Sequence, residues 1–216
     1  TEIYTLSLHD ALPICREFSD SGVVMAREIR ARKNQSVSEN LRAACSYHSN
    51  QGEVWDEIQR LSETSGVSSP TGAMRDVFTS REPEIQECLQ AFTPVEGQVG
   101  FMFAVDNTVI GMDFVSRTDA YAELHGKLVK SYVIDAPLKK EASPQAAVDC
   151  ATAFIGRLSQ CAETSYPSTG YGEDYRYEAR NLCGSALVHE GTCVHAAFFT
   201  STARENEDTQ IGRAHV

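Results

Sequence analysis

Residues 97–115, GQVGFMFAVDNTVIGMDFV, constrain the fold more than any other stretch, because their apolar side chains recur at every second position around a single Asp-Asn pair. A period of two over this length is the mark of strands, and Asp106-Asn107 suits the positive φ angles of a tight hairpin turn. With a two-residue turn, Val99, Phe101, Phe103, Val105, Ile110, Met112 and Phe114 fall on one core face. Gly100, Met102, Ala104, Val109, Gly111 and Asp113 then fall on the other, with Asp113 opposite Gly100. Residues 184–199, GSALVHEGTCVHAAFF, form a second hairpin around Glu190-Gly191. The two hairpins echo each other weakly, with Gly100, Thr108 and Phe114 matched by Gly184, Thr192 and Phe198.

Helical periodicity surrounds these hairpins. Val54, Trp55, Ile58 and Leu61 make one stripe, closed by Gly66. Ser69 is placed to cap a short helix with Pro70 in its first turn and Met74, Val77 and Phe78 on its apolar side. Ile85, Cys88, Leu89 and Phe92 mark a third helix, and Pro94 lies beyond its end. A helix over about 119–134 turns Tyr121, Leu124, Leu128 and Tyr132 inward, and one over about 144–161 carries Val148, Ala151, Phe154, Ile155 and Leu158. A linker at 136–143 separates these two. A Gly- and Tyr-rich loop at 166–171 precedes a strand on which Arg176, Glu178 and Arg180 face away from Tyr175, Tyr177 and Ala179. Hairpins alternating with helices imply an α+β fold, an antiparallel or mixed sheet packed with amphipathic helices.

Charge and cysteine usage bound the function. A formal charge of -11 over 216 residues makes nucleic acid an unlikely partner, since phosphate binding rests on clustered Lys and Arg. No apolar run reaches the roughly 18 residues of a membrane-spanning helix, and the expectation is a cytoplasmic protein. The seven cysteines are widely spaced, without a C-x-x-C, and are expected as reduced, mostly buried thiols. Residues 1–14 and 210–216 have the look of translated adapter sequence, which leaves 15–209 as a single partial domain.

Several residues are candidates for chemistry. Asp113 stands late in an apolar strand, where a carboxylate must be solvated, hydrogen-bonded or shifted in pKa; a structural strand-end role is the alternative. Glu173 and Asp174 form adjacent acids able to hold a divalent cation or divide acid and base roles, with Arg176 as a neighbouring ligand contact or a plain salt-bridge partner. Ser69 and Thr71 bracket a helix start, which can bind an anion or simply cap the helix, and Trp55 is a further ligand-binding candidate. Tyr166, Tyr171, Tyr175 and Tyr177 can stack on a base or sugar, or line a core edge. Cys183, His189, Cys193 and His195 have the chemistry of zinc ligands. In a two-residue hairpin, however, Cys193 and His195 share one face, while His189 and Cys183 share the other, so no metal site is expected. No nucleophile elbow or nucleotide-binding glycine motif is visible, and no cofactor is indicated.

Taken together, SPTGAMRDVF (69–78), AFTPVEGQVGFMFAVDNTVIGMDFV (91–115), KLVKSYVIDAP (127–137), GYGEDYR (170–176) and GSALVHEGTCVHAAFF (184–199) resemble a bacterial family, the ARG- and rhodanese-phosphatase-superfamily-associated protein domain. That family is uncharacterised. Its name implies association with ADP-ribosylglycohydrolase-type and phosphatase-type proteins, hence a setting of ADP-ribose, nucleotide or phosphate chemistry. The resemblance also implies an additional strand-rich portion ahead of the segment at 18–31. The function expected is a binding or accessory module for a small nucleotide-like ligand or a partner protein. The alternative is a hydrolase or transferase working through Asp113, Glu173 and Asp174.

Overall fold

A computed structural model describes residues 24–67, 74–105, 107–134 and 144–200. Six strands form one antiparallel sheet: β1 (Gly100–Val105), β2 (Thr108–Val115), β3 (Ala162–Pro167), β4 (Glu173–Ala179), β5 (Leu182–His189) and β6 (Thr192–Thr200). Their order is β1-β2-β6-β5-β4-β3, so β1 and β3 are the edges and the two hairpins meet at the β2–β6 seam. The helices are α1 (Arg27–Ala44), α2 (Gln51–Thr64), α3 (Met74–Ser80), α4 (Glu82–Ala91), α5 (Thr118–Val133) and α6 (Pro144–Leu158). The fold is α+β, as the alternation of period in the sequence implies.

Helices cover the sheet unequally. On its first face α1 packs on β5 and β6 and α5 packs on β2, with α2 behind α1 and α4 behind α5. Ile29, Val54, Phe78, Ile85, Phe103, Val129, Tyr132 and Phe199 make the core there. On the second face α6 packs on β1 and β2, and Phe154 fills a smaller core with Val109, Leu182, Ala186, Ala196 and Phe198.

Two β-bulges change the expected faces. The β1–β2 register slips between Phe103 and Ala104, so that Ala104 pairs with Val109 while Phe103 pairs with Gly111, and Ile110 is left over. An extra residue on one strand reverses the parity of everything beyond it. Asp113 therefore pairs with Phe101 and not with Gly100, and Gly100 pairs with Phe114. The expected common face is split: Phe101, Phe103, Val105 and Ile110 join the first core, whereas Met112 and Phe114 join the second. In the second hairpin a slip between Leu187 and Val188 pairs Leu187 with His195 and Val188 with Cys193. This places Cys193 with the second core while His195 stands in the row of Val115 and Leu187 on the first face, correcting the parity expected for these two residues.

Other elements refine the sequence reading. The apolar stripes of α2 to α6 match the expected helices to within a few residues, yet Trp55, Phe92, Val148 and Ile155 on those stripes are exposed. Tyr166 belongs to β3 and not to a loop, and Glu173 and Asp174 open β4. Helix α1 was not signalled by apolar periodicity, because Asn34, Ser36 and Ser38 occupy buried positions on it. The turn at Glu190-Gly191 has φ of 49° and 72°, the left-handed pair that a two-residue hairpin requires.

Gly111 is a close-contact glycine. A Cβ there would lie 2.7 Å from the Tyr132 ring and hydroxyl and 2.9 Å from the Phe198 carbonyl oxygen. Replacing Gly111 with Ala is expected to destabilise the protein by about 1–3 kcal/mol in urea unfolding, because the ring of a packed tyrosine and a strand backbone must both shift.

Candidate functional site

Asp113 is wholly buried on β2, and its surroundings make it the most distinctive polar group in the structure. An isolated carboxylate in an apolar interior would cost several kcal/mol or take up a proton. Here Arg30 of α1 meets it with both terminal nitrogens, one of them 3.0 Å from Oδ2. The Tyr132 hydroxyl of α5 donates to Oδ2 at 2.8 Å. Arg30 also donates to Ser131 Oγ at 3.2 Å, and its guanidinium lies over the Phe199 ring, 5.0 Å from the centroid. Burial alone would lower the affinity of Arg30 for its proton, but the Asp113 carboxylate outweighs this and holds the guanidinium charged. Burial, with the same carboxylate, pushes the Tyr132 phenol well above its ordinary value.

His195 belongs to this neighbourhood. It projects from β6 one row along from Ala197, the β6 partner of Asp113. Burial pulls its imidazole below the usual histidine range; the Asp113 carboxylate opposes that and the Arg30 guanidinium reinforces it. Further along the same face, Asn34 of α1 donates to Ser185 Oγ at 2.8 Å, and Arg27 donates to the Thr200 carbonyl at 3.1 Å. Three side chains of α1 thus reach three strands: Arg30 to β2, Asn34 to β5 and Arg27 to β6. A second buried polar unit lies between α5 and the start of β1. Gln98 donates to the Tyr121 hydroxyl at 2.8 Å, Tyr121 meets His125 Nδ1 at 2.9 Å, and His125 Nε2 meets the Phe92 carbonyl at 2.6 Å. A carbonyl only accepts, so Nε2 carries the proton and Nδ1 accepts from tyrosine.

The other candidate acids stand elsewhere. Asp174 pairs with Arg176 on the first face of β4, and burial pushes its carboxyl up against the lowering effect of that arginine. Glu173 is exposed on the second face, accepting from the Tyr175 hydroxyl at 3.0 Å. Arg176 lies in the lateral row Asp113, Ala197, Ser185, Arg176, three strand spacings or about 14 Å from Asp113. Asp113, Glu173 and Asp174 are therefore not brought together. Trp55 is exposed on α2, Tyr171 is exposed beside His189, and Ser69 and Thr71 lie outside the described residues. Among the described residues no group of three or more His, Cys, Asp or Glu is placed to hold a metal ion. Arg30 and Tyr132 were missed as partners of Asp113, and Ser131 as a partner of Arg30. The signal available was the polar stripe Arg30, Asn34, Ser38 at helical spacing beside Ile29, Val37 and Leu41.

A recess of another kind lies on the opposite face of the sheet. A cavity of about 490 Å³ opens on the second face of the sheet, lined by Met102, Met112, Phe114, Tyr177, Cys193 and Phe198 above a floor of Gly100, Ala186 and Ala196. Its walls are thioether, aromatic and methyl groups.

Chemically, the Asp113 cluster fastens α1 and α5 to the sheet. Both carboxylate oxygens are engaged, Oδ2 twice and Oδ1 once, the nearest cation is committed, and the whole group is shut away from solvent. Arg30→Met is expected to lower the unfolding free energy by about 3–5 kcal/mol, and the Arg30→Met/Asp113→Leu pair to recover a large part of that loss. Chemical denaturation of the single and double variants measures both. His195 supplies a pH signature. Its folded-state pKa is depressed, so the unfolded chain binds the extra proton first and stability falls as pH drops through the free-histidine value near 6.5. Replacing His195 with Gln is expected to flatten the stability profile between pH 7 and 5, read from denaturation midpoints across that window.

Comparison with known proteins adds the family. Residues 14–199 match the ARG and Rhodanese-Phosphatase-superfamily-associated Protein domain. Neither a curated protein nor a solved structure gives a significant match. Spanning both hairpins, the Asp113 cluster and every helix described above, that match means that the chain belongs to the family of ARG and Rhodanese-Phosphatase-superfamily-associated Protein domains.

Proposed function

We propose that this domain is a non-catalytic binding or accessory module, acting through a protein partner in the setting of ADP-ribose, nucleotide or phosphate metabolism. The setting rests on the family association alone. The observation that carries the non-catalytic reading is the commitment of the candidate acids: Asp113 is buried and held by Arg30 and Tyr132, and Asp174 is paired with Arg176, with no metal-binding group among the described residues. The cations facing the sheet are engaged through their terminal nitrogens, Arg27 on the Thr200 carbonyl and Glu28, Arg30 on Asp113, and Arg176 on Asp174, and the unpartnered Nε of Arg27 and of Arg176 is buried. A pyrophosphate group needs such donors free, and the apolar recess supplies none. A protein partner accounts for an apolar recess better than a nucleotide does. A cytoplasmic location accords with this reading, and among the described residues no helix is long and apolar enough to cross a membrane.

The test is direct. The full chain, incubated with ADP-ribose, NAD or p-nitrophenyl phosphate in the presence of Mg²⁺ or Mn²⁺, is expected to show no turnover above buffer and no thermal stabilisation by ligand or cation. Turnover that disappears in Asp113→Asn or Glu173→Gln, with unfolding still cooperative, would establish the acidic-site enzyme instead.

A further inference from the structure

We infer that the apolar cavity on the second sheet face is a docking site for a partner segment that is both apolar and basic. This rests on the accessory-module reading and names the chemistry of its partner. Helix α6 packs on β1 and β2 and sends Phe154 onto Leu182, Ala186, Ala196 and Phe198, while Met102, Met112 and Phe114 remain half-buried beside the cavity they line. A volume of about 490 Å³ accepts a few apolar side chains, in the range of sites that bind specific ligands. Methionines on two adjacent strands give the wall adaptable, polarisable surface suited to side chains of varied shape. Gly100, Ala186 and Ala196 keep the floor low, and Gly100 cannot gain even a Cβ, which would lie 2.5 Å from the Asp113 carbonyl oxygen.

Charge selects the partner. The six strands carry a single Lys or Arg, Arg176, and it sits on the opposite face, paired with Asp174. The ionised strand side chains on the cavity's face are Glu163 and Glu173, both exposed. Glu163 stands opposite Tyr177, which lines the cavity, and Tyr175 donates to Glu173 at 3.0 Å. Arg157 of α6 is engaged with the Asn181 carbonyl at the β4–β5 turn. Among the described residues the charged strand side chains of this face are carboxylates, which attract a segment whose apolar anchors are flanked by Lys or Arg and repel acidic segments and nucleic acid. The chain's own charge of -11 weighs against a second copy as the occupant.

Selection of a phage-displayed random peptide library on the immobilised full chain tests this. The peptides expected pair two or more of Leu, Met, Phe or Trp with Lys or Arg. Synthesised and titrated by fluorescence anisotropy, they should lose affinity at least tenfold against Met112→Lys, and about as much against Glu163→Lys/Glu173→Lys, whose exposed positions leave the fold intact. Raised salt should weaken binding, as screening of opposed charges requires. No enrichment, enrichment of peptides lacking Lys and Arg, or affinity unchanged in the double glutamate variant overturns the proposal. A dimer in light scattering that Met112→Lys dissociates overturns it in favour of a second copy. Peptides that bind but ignore both variants reject this face while leaving the accessory reading standing; nucleotide or phosphate turnover rejects that reading while leaving the peptide result intact.

Discussion

The ion pair between Arg30 and Asp113 is the constraint on which the rest of the arrangement depends. Asp113 stands on β2, between edge strand β1 and the seam with β6 where the two hairpins meet, and water cannot reach it there. Its charge is tolerable only because a guanidinium arrives from α1 and a phenol from α5. That requirement fixes the two helices relative to each other and to the strands. It also explains Gly111, whose missing side chain makes room for the Tyr132 ring. Buried pairs of this type seldom add net stability over a well-packed apolar alternative, but removing one partner is expensive. Their value is in defining one arrangement, and here they do so for a helix with few apolar side chains to offer.

Helix α1 shows why polar contacts matter at this site. Most amphipathic helices are held by an apolar stripe, whereas α1 buries Asn34, Ser36 and Ser38 beside Ile29, Val37 and Leu41. Each of these side chains makes a hydrogen bond: the Asn34 amide nitrogen donates to Ser185, Ser38 donates to the Asn34 carbonyl, and Ser36 accepts from the backbone N–H of Asn50, the residue that caps α2. Small side chains allow close approach to the sheet, and their hydrogen bonds offset part of the desolvation cost. The first face of the sheet is therefore closed by specific contacts, and the second is left to α6 and whatever docks beside it.

How far the sequence could be read follows from the same physics. Both hairpins, their turns and five of the helices were legible because each has a strong period and a punctuating residue: Asn107, Gly191, Gly66, Pro94. Helix α1 and edge strand β3 were not, since neither carries an apolar alternation; β3 is almost wholly exposed and α1 is polar on its buried side. Asp113 was singled out correctly as an unusual acid, but its partners lie 83 residues before it and 19 after it, beyond the reach of local pattern. The faces were misread through two single-residue slips. Nothing in the alternation of residues 97–115 distinguishes Ile110 as the extra residue, because the bulge is settled by which face each side chain can pack against, a tertiary decision.

Those slips also create the asymmetry between the faces. Without the bulge, Phe101 and Phe103 would share a face with Met112 and Phe114, and Asp113 would point away from them with the glycines and alanine. With it, the aromatic residues of β1 pack around Tyr132, whose ring stacks on Phe103 at 5.3 Å, and Asp113 turns toward Arg30. Met102, Met112 and Phe114 are turned the other way, onto the face on which, among the described helices, α6 packs. One inserted residue thus does two things at once. It sends the charge into the interior, where a helix must come to meet it, and it sends adaptable apolar side chains to the surface, where a partner can.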